Sequence, residues 1–325
     1  SDDKGENIIQ KTLPCSVHGN EVGRATGDRL IYKNGRLYFG SQTAGIIYSE
    51  DMGESWQSID LFGEKNISLI WTDSEGKLFI AGCSGEANSP DGVTRGHTLY
   101  CSTDGLKSFV PLTAPDPVKY ENSSYYGFVP QRITSDSRYI YITFASSGEV
   151  FYGGMGAYAC DTGSLSGGKV YRYRIENGVP VFDKDITPED HIPCGYSAIC
   201  SNGKMLLLST VCRKNGGDII YTSTDSGESW KIIMNRLEYS RFDWNIPYMK
   251  PRYNGDGNCV HWISDIKLSP FDSDTALFNT GTGLFMITGL ASGDVLVKPF
   301  CEGIEETVHL NVYTTPHGRN RIIDI

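Results

Sequence analysis

The chain has 325 residues, a formal net charge of −10 at pH 7 and a pI near 5.1. This acidity argues against nucleic acid or an anionic membrane as a partner, and it permits a neutral ligand. The 19 Tyr and 37 Gly residues favour a turn-rich, all-β protein over a helical one, and no apolar run approaches the ~20 residues of a membrane span.

A short motif, Ser-x-Asp-x-Gly-x-Ser-Trp, occurs twice, as SEDMGESW at 49–56 and STDSGESW at 223–230. Weaker copies begin at residue 1, SDDKGENI, and at residue 102, STDGLKSF, where glycine comes one place early. A hydroxyl and a carboxylate two residues apart can both accept hydrogen bonds from the backbone of a turn, and glycine supplies a positive φ. We interpret these motifs as structural hairpin turns, or Asp boxes, built on Asp3, Asp51, Asp104 and Asp225.

Turn-then-strand segments alternate with the boxes along the chain. In order, they are NGRLYFG (34–40), EGKLFIA (75–81), SRYIYIT (137–143), NGKMLLL (202–208) and DTALFNT (274–280). Each is followed by another apolar strand, so the repeat is strand, turn, strand, box, strand. Five such repeats predict a β-propeller with blades of four antiparallel strands and Asp-box hairpins.

The repeat also predicts the organisation of the chain. We expect residues 1–325 to form one propeller domain, with five blades between about 26 and 300. Residues 1–14 are interpreted as the end of a preceding blade and residues 303–325 as the start of a further one. The domain is therefore expected to be incomplete at both ends.

No pattern in the sequence indicates a metal or a cofactor. The nine cysteines form no Cys-x-x-Cys pair, and His191 with Cys194 is the nearest approach to a pair of metal ligands. Two ligands without a second pair do not define a zinc site. We therefore expect no metal site and no cofactor.

The run LPCSVHGNEVGRATGDRLIYKNGRLYFGSQTAGIIYSEDMGESW resembles glycoside hydrolase family 74, the xyloglucanases. Four further segments match that family in the same order: GFVP (127–130), DIIYTSTDSGESW (218–230), WISDIKLSPFDSDTALFNTGTGLF (262–285) and GIEETVHL (303–310). The resemblance implies a secreted or cell-surface enzyme built from two seven-bladed propellers. It also implies hydrolysis, with inversion, of plant cell-wall xyloglucan or related β-1,4-glucans in the cleft between the propellers.

The resemblance does not supply catalytic residues. In the family one aspartate lies in a first-blade turn and its partner lies in the second propeller, and neither position has a counterpart here. We therefore expect this chain by itself not to hydrolyse xyloglucan. Asp265, flanked by apolar strand residues, and Asp243 remain as candidate carboxylates, and the alternative for Asp265 is a hydrogen-bonded structural role.

Sugar binding is predicted for two aromatic segments, because aromatic rings pack well on the C–H faces of pyranoses and loops on a rigid scaffold commonly carry binding residues. The candidates are Trp244, Tyr248 and Trp262 in the segment 242–262, and Tyr125 and Tyr126 in the segment 121–130. The alternative for Trp244 and Trp262 is a place between blades, as expected for the box residues Trp56 and Trp230.

Two other function classes remain open at this stage. One is a non-catalytic propeller module that binds glycan or protein partners, as in sortilin-like receptors and photosystem-assembly factors, since a fold does not determine an activity. The other is a sialidase, which is disfavoured because the chain lacks an Arg-Ile-Pro near its start.

Overall fold

The computed structural model describes residues 11–15, 29–41, 43–59, 67–84, 97–112, 128–146, 168–189, 195–211, 219–234, 263, 265–280, 283–299, 312–314 and 320–322. Within these ranges the chain forms 22 β-strands and no helix. No helix that could cross a membrane therefore occurs in this part of the chain. The all-β prediction is confirmed.

Five four-stranded antiparallel units follow one another along the chain; each is called a sheet here, although one strand pairing joins the third and fourth into a single eight-stranded sheet. The first contains β1 (Leu30–Lys33), β2 (Arg36–Gly40), β3 (Ile46–Ser49) and β4 (Gln57–Ile59), and the second contains β5 (Ile67–Thr72), β6 (Phe79–Ser84), β7 (His97–Ser102) and β8 (Val110–Pro111). The third contains β9 (Phe128–Ser135), β10 (Tyr139–Ser146), β11 (Val170–Glu176) and β12 (Val179–Asp185). The fourth contains β13 (Gly195–Ser201), β14 (Leu206–Val211), β15 (Ile220–Ser223) and β16 (Lys231–Met234). The fifth contains β17 (Asp265–Leu268), β18 (Ala276–Thr280), β19 (Gly283–Thr288) and β20 (Leu296–Pro299), and a pair, β21 (Val312–Thr314) and β22 (Asn320–Ile322), follows.

Each sheet is a simple meander in which successive strands pair. The five turn-then-strand segments predicted from the sequence supply the second strands, β2, β6, β10, β14 and β18. The prediction of four-stranded antiparallel blades is therefore confirmed. The extent of the domain and the number of blades in an intact propeller stay predictions.

Apolar side chains fill the space between each pair of successive sheets. The first and second sheets enclose Tyr38, Ile46, Ile67 and Phe79 among others, and Ile67 is fully buried. Similar clusters join the second sheet to the third, the third to the fourth and the fourth to the fifth. Since each large apolar side chain contributes about 1.5–3 kcal/mol when it leaves water, these clusters hold the sheets face to face.

The first strands of successive sheets lie next to one another, with β1 contacting β5, β5 contacting β9, β9 contacting β13 and β13 contacting β17. The sheets therefore radiate from a common inner row of strands, as the blades of a propeller do.

Because neighbouring strands run in opposite directions, the turns that join them lie at two distinct ends of the fold. We call the end that carries the turns between first and second strands and between third and fourth strands the box face, because the boxes at Ser49, Ser102 and Ser223 begin there. The other end is called the opposite face. The described strand ends that flank the chain segments 85–96, 113–127, 147–167 and 235–262 all lie at the opposite face.

Candidate functional site

The Asp box at 223–230 closes the turn between β15 and β16 through its own side chains. Asp225 Oδ1 accepts hydrogen bonds from Ser223 Oγ (2.7 Å) and from the Ser229 N–H (3.0 Å), while its Oδ2 accepts one from Ser229 Oγ (2.5 Å). Ser223 Oγ in turn accepts a bond from the Gly227 N–H (2.9 Å). The turn therefore satisfies its backbone donors without a ligand.

The boxes at Asp51 and Asp104 have the same bonding. Asp51 accepts from Ser49 Oγ, the Ser55 N–H and Ser55 Oγ, at 2.8, 2.9 and 2.6 Å. Asp104 accepts from Ser102 Oγ, the Ser108 N–H and Ser108 Oγ, at 2.9, 3.0 and 2.6 Å. Asp3 lies outside the described residues.

Two successive residues of each of the three described boxes adopt a left-handed conformation, although the sequence indicated one. They are Met52 and Gly53 (φ 57° and 92°), Gly105 and Leu106 (74° and 69°), and Ser226 and Gly227 (61° and 85°). The box at 102 places its glycine at the first of the two positions and the others place it at the second. Glycine relieves the steric cost at either place, so the early glycine does not alter the turn.

Two of the five sheets lack a box, which corrects the expectation of one box per repeat. In the third sheet, β11 and β12 are joined by the tight turn at Asn177 and Gly178, whose positive φ values are typical of a two-residue hairpin. In the fifth sheet, the carboxylate that binds the turn between β19 and β20 belongs to Asp274, which lies in the neighbouring turn between β17 and β18. It accepts bonds from the Gly289 N–H (3.0 Å) and the Ala291 N–H (2.8 Å).

The hydrogen bonds keep the box carboxylates ionised. Bonds from the Ser108 hydroxyl and N–H lower the pKa of Asp104 to about 2. Partial burial opposes the effect at Asp225, but bonds from Ser229 and Ser223 outweigh it and the pKa is again about 2. The Ser55 hydroxyl and N–H lower the pKa of Asp51 in the same way. Such bonding suits a structural anion rather than a proton donor.

At the opposite face, Asp265 occupies the first position of β17. Its Oδ2 lies 3.2 Å from Lys267 Nζ, and its Oδ1 lies 3.8 Å from Arg132 Nε. Oδ1 also accepts a bond from the Ile266 N–H at 2.9 Å. Because β9 belongs to the third sheet and β17 to the fifth, the Arg132–Asp265 pair spans the inner strand of the fourth sheet.

These contacts are those of an ion-paired, hydrogen-bonded carboxylate, the structural alternative for Asp265. Its catalytic candidacy stays a prediction. Arg132 was not found from the sequence, since its partner is 133 positions further along and no local pattern links them.

The other candidates fall outside the described residues. These are the carboxylate Asp243 and the aromatic residues Tyr125, Tyr126, Trp244, Tyr248 and Trp262. Their roles stay predictions. Among the described residues, no group of three His, Cys, Asp or Glu side chains is placed to hold a metal ion.

Comparison with known proteins agrees with the fold. The Xanthomonas campestris GH74 xyloglucanase superposes with a TM-score of 0.62 at 22% identity, over 88% of this chain and 40% of that protein. Together with the radiating four-stranded sheets, this likeness defines the chain as a β-propeller protein.

The sequence relatives define the resemblance further. The Emericella nidulans oligoxyloglucan-reducing end-specific xyloglucanase is 24% identical over 98% of this chain, and the Acetivibrio thermocellus xyloglucanase Xgh74A is 23% identical over 98%. No family model matches the chain. The resemblance to the N-terminal propeller portion of glycoside hydrolase family 74 is confirmed. The chain spans 44% and 40% of the lengths of these two relatives.

We expect the substitution Asp225→Ala to destabilise the fold by about 1 kcal/mol, because turn N–H groups lose their acceptor while water can still reach them. Urea unfolding of the purified chain measures the loss. Asp294→Ala is the matched control, since Asp294 is an exposed turn aspartate that accepts no hydrogen bond in the described structure. Equal stability of the two variants would contradict the role assigned to Asp225.

The lowered pKa values predict how stability depends on pH. Since Asp104 and Asp225 titrate near 2 when folded and near 3.8 when unfolded, their contribution is complete above about pH 5 and is lost as the pH falls towards 2. The double substitution Asp104→Asn/Asp225→Asn should flatten the fall in the urea midpoint between pH 5 and pH 2. An unchanged slope in the double variant would count against the bonding described.

The pair at Asp265 predicts a coupled effect on stability. Asp265→Asn should lower the free energy of unfolding by about 1 kcal/mol or less, as expected for a partly exposed ion pair. In combination with Arg132→Gln the losses should be less than additive. Glu176→Gln, which breaks a more exposed pair with Arg174 (3.2 Å), is the control and should have no measurable effect. Strictly additive losses would show that Arg132 and Asp265 do not interact.

Proposed function

We propose that the chain is part of a glycoside hydrolase that acts on xyloglucan or a related β-1,4-glucan of the plant cell wall. The observation that carries this proposal is the similarity to fungal and bacterial xyloglucanases along 98% of the chain. The protein is proposed to be secreted or exposed at the cell surface, where such a polymer is accessible, and to use a second propeller domain as the other wall of its cleft.

The proposed chemistry is hydrolysis with inversion by two aspartates. One carboxylic acid protonates the leaving oxygen, and a carboxylate about 6.5–9.5 Å away activates a water molecule on the opposite face of the sugar. No residue of this chain is assigned to that pair. Asp265 pairs with Arg132 of the third sheet and is proposed to help hold the inner strands of the third and fifth sheets in place.

The contribution proposed for this chain is one glucan-binding surface on the opposite face. Support comes from the strand ends flanking residues 113–127 and 235–262, which lie at that face and away from the box turns. Trp244, Tyr248, Trp262, Tyr125 and Tyr126 are proposed to stack on pyranose rings. A net charge of −10 is compatible with a neutral polymer, because stacking and hydrogen bonding need no charge on the ligand.

The alternative is a non-catalytic module that binds glycan or protein partners through the same face. It is kept because no residue of this chain is assigned to the catalytic pair. Hydrolysis assays distinguish it from the enzyme only in a protein that contains both catalytic aspartates. Binding assays on this chain test the binding surface at the opposite face, which both proposals share.

We expect Trp244→Ala to weaken binding of xyloglucan oligosaccharides about tenfold while the melting temperature stays unchanged, because a few clustered contacts carry most of the binding energy. Isothermal titration calorimetry and thermal unfolding measure the two quantities. Phe271→Ala is the matched control, since Phe271 is 94% exposed in a turn at the box face.

Two outcomes would contradict the proposed binding surface, and a third would contradict the placement of the catalytic pair outside this chain. A large drop in melting temperature would place Trp244 between blades, and equal losses in both variants would remove the binding face from this end of the fold. Rapid release of oligosaccharides by the chain alone would show that it contains its own catalytic pair, with Asp265 and Asp243 as the candidates.

A further inference from the structure

We propose that the third and fourth sheets form a locked double blade, in which the Asp box at 223–230 docks onto Arg172 of the preceding sheet. The box then serves as a connector between blades in addition to closing its own turn. This inference concerns how the scaffold opens and does not depend on the function proposed above.

Main-chain pairing joins the two sheets at the opposite face. Ala145 of β10 pairs with Gly195 of β13, so the third and fourth sheets form one continuous eight-stranded sheet, whereas the first, second and fifth remain separate. Gly168 lies in this junction. A Cβ atom there would come within 1.9 Å of the Phe144 carbonyl oxygen and 2.8 Å of Gly195 Cα. The backbones therefore approach too closely for any side chain at this position.

Arg172 joins the same two sheets at the box face. It is only 6% exposed, and its guanidinium uses three nitrogens on three partners. Nε donates to Asp183 Oδ2 (2.6 Å), Nη1 donates to the Ser226 carbonyl oxygen (2.8 Å), and Nη2 lies 2.8 Å from Glu228 Oε1. Asp183 belongs to the third sheet, while Ser226 and Glu228 belong to the box. The planar guanidinium thus connects a strand of one blade to the turn of the next.

The aromatic ring of Tyr139 supports this guanidinium. Arg172 Cζ lies 4.5 Å from the centre of the Tyr139 ring, within the range of a cation–π contact. Arg138 lies over the same ring at 5.3 Å and donates from Nη2 to Ser226 Oγ (2.9 Å). Ser226 is therefore held through its carbonyl and its hydroxyl by two arginines of the third sheet.

The rest of the box also contacts the third sheet. Trp230 Nε1 donates to the Ile186 carbonyl oxygen (2.7 Å), and Glu228 Oε2 lies 2.6 Å from Lys184 Nζ. Gly227 packs so tightly that an added Cβ would meet Ile186 Cδ1 at 2.5 Å. Ser226, Gly227, Glu228 and Trp230 of the box thus all contact the third sheet or the residue that follows it.

The other described boxes are docked less completely. The box at 49 contacts the preceding chain through the ion pair of Lys11 with Glu54, but Nε1 of Trp56, which occupies the place of Trp230, is buried without a hydrogen-bond partner. The box at 102 ends in Phe109, whose side chain has no N–H to donate.

The first and second sheets are joined by one main-chain bond, from the Ile67 N–H to the Ser41 carbonyl oxygen (2.9 Å), but they do not merge into one sheet. The junction of the third and fourth sheets adds the buried guanidinium of Arg172 to its main-chain pairing, so the double blade is expected to open after the other described junctions.

Hydrogen–deuterium exchange of the intact chain, analysed by mass spectrometry, tests the proposal. Arg172→Met keeps the aliphatic stem and removes the guanidinium, and it should raise exchange about tenfold in peptides covering 223–232 and 183–186. Peptides from the first and second sheets should not change. Arg174→Met is the matched control, because Arg174 lies two residues along the same strand and contacts Asp183 and Glu176 without reaching the box.

A graded series keeps the test decisive if Arg172→Met does not fold. Arg172→Lys keeps the positive charge but loses the planar guanidinium. Trp230→Phe keeps an aromatic ring but loses the hydrogen bond to the Ile186 carbonyl oxygen. Both should raise exchange in 223–232 by a smaller factor. The proposal is overturned if the box exchanges at the parent rate in these variants, or if all five sheets loosen equally.

Discussion

On β10, Ile140 and Ile142 pack towards the second sheet, while Tyr141 between them packs towards the fourth, and all three are fully buried. Alternation along a strand thus makes both faces of the sheet apolar. Such a sheet cannot be stable as a single layer in water, because one face would remain exposed. The stability of each blade therefore depends on the blades at either side of it, and so do the placement of the turns and the separation of the two faces.

This dependence explains why polar contacts matter at the junctions. Apolar clusters hold neighbouring sheets together through a hydrophobic effect that is not directional. Directional bonds such as those of Arg172 with Ser226 and Asp183 fix one arrangement. In the third and fourth sheets, apolar packing provides most of the free energy and the guanidinium provides the alignment.

Local features of the fold were predictable from the sequence. The five turn-then-strand segments became second strands because polar turns and apolar alternation act over a few residues. The Ser-x-Asp spacing predicted side-chain bonds to the turn, as seen at Asp51, Asp104 and Asp225. The pair of left-handed residues was missed, because Met52, Leu106 and Ser226 adopt that conformation without a sequence signal of their own.

Contacts between distant residues were not predictable in this way. Arg172 is 54 positions from Ser226, and Arg132 meets Asp265 across an intervening blade, so neither pairing leaves a local pattern. For the candidate site, the sequence supplied residue types that suit sugar binding. Burial and charge around such residues are properties of the folded chain, as the cations Arg132 and Lys267 beside Asp265 illustrate.

The separation of turns and long connections between the two ends has a consequence for protein engineering. The strand ends at Ser84 and His97, and those at Ser146 and Val170, lie at the end away from the boxes. New sequence inserted between them would leave the hairpin bonding at Asp51, Asp104 and Asp225 untouched. The scaffold is therefore suited to carrying grafted peptides, with one end diversified while the other keeps the blades in register.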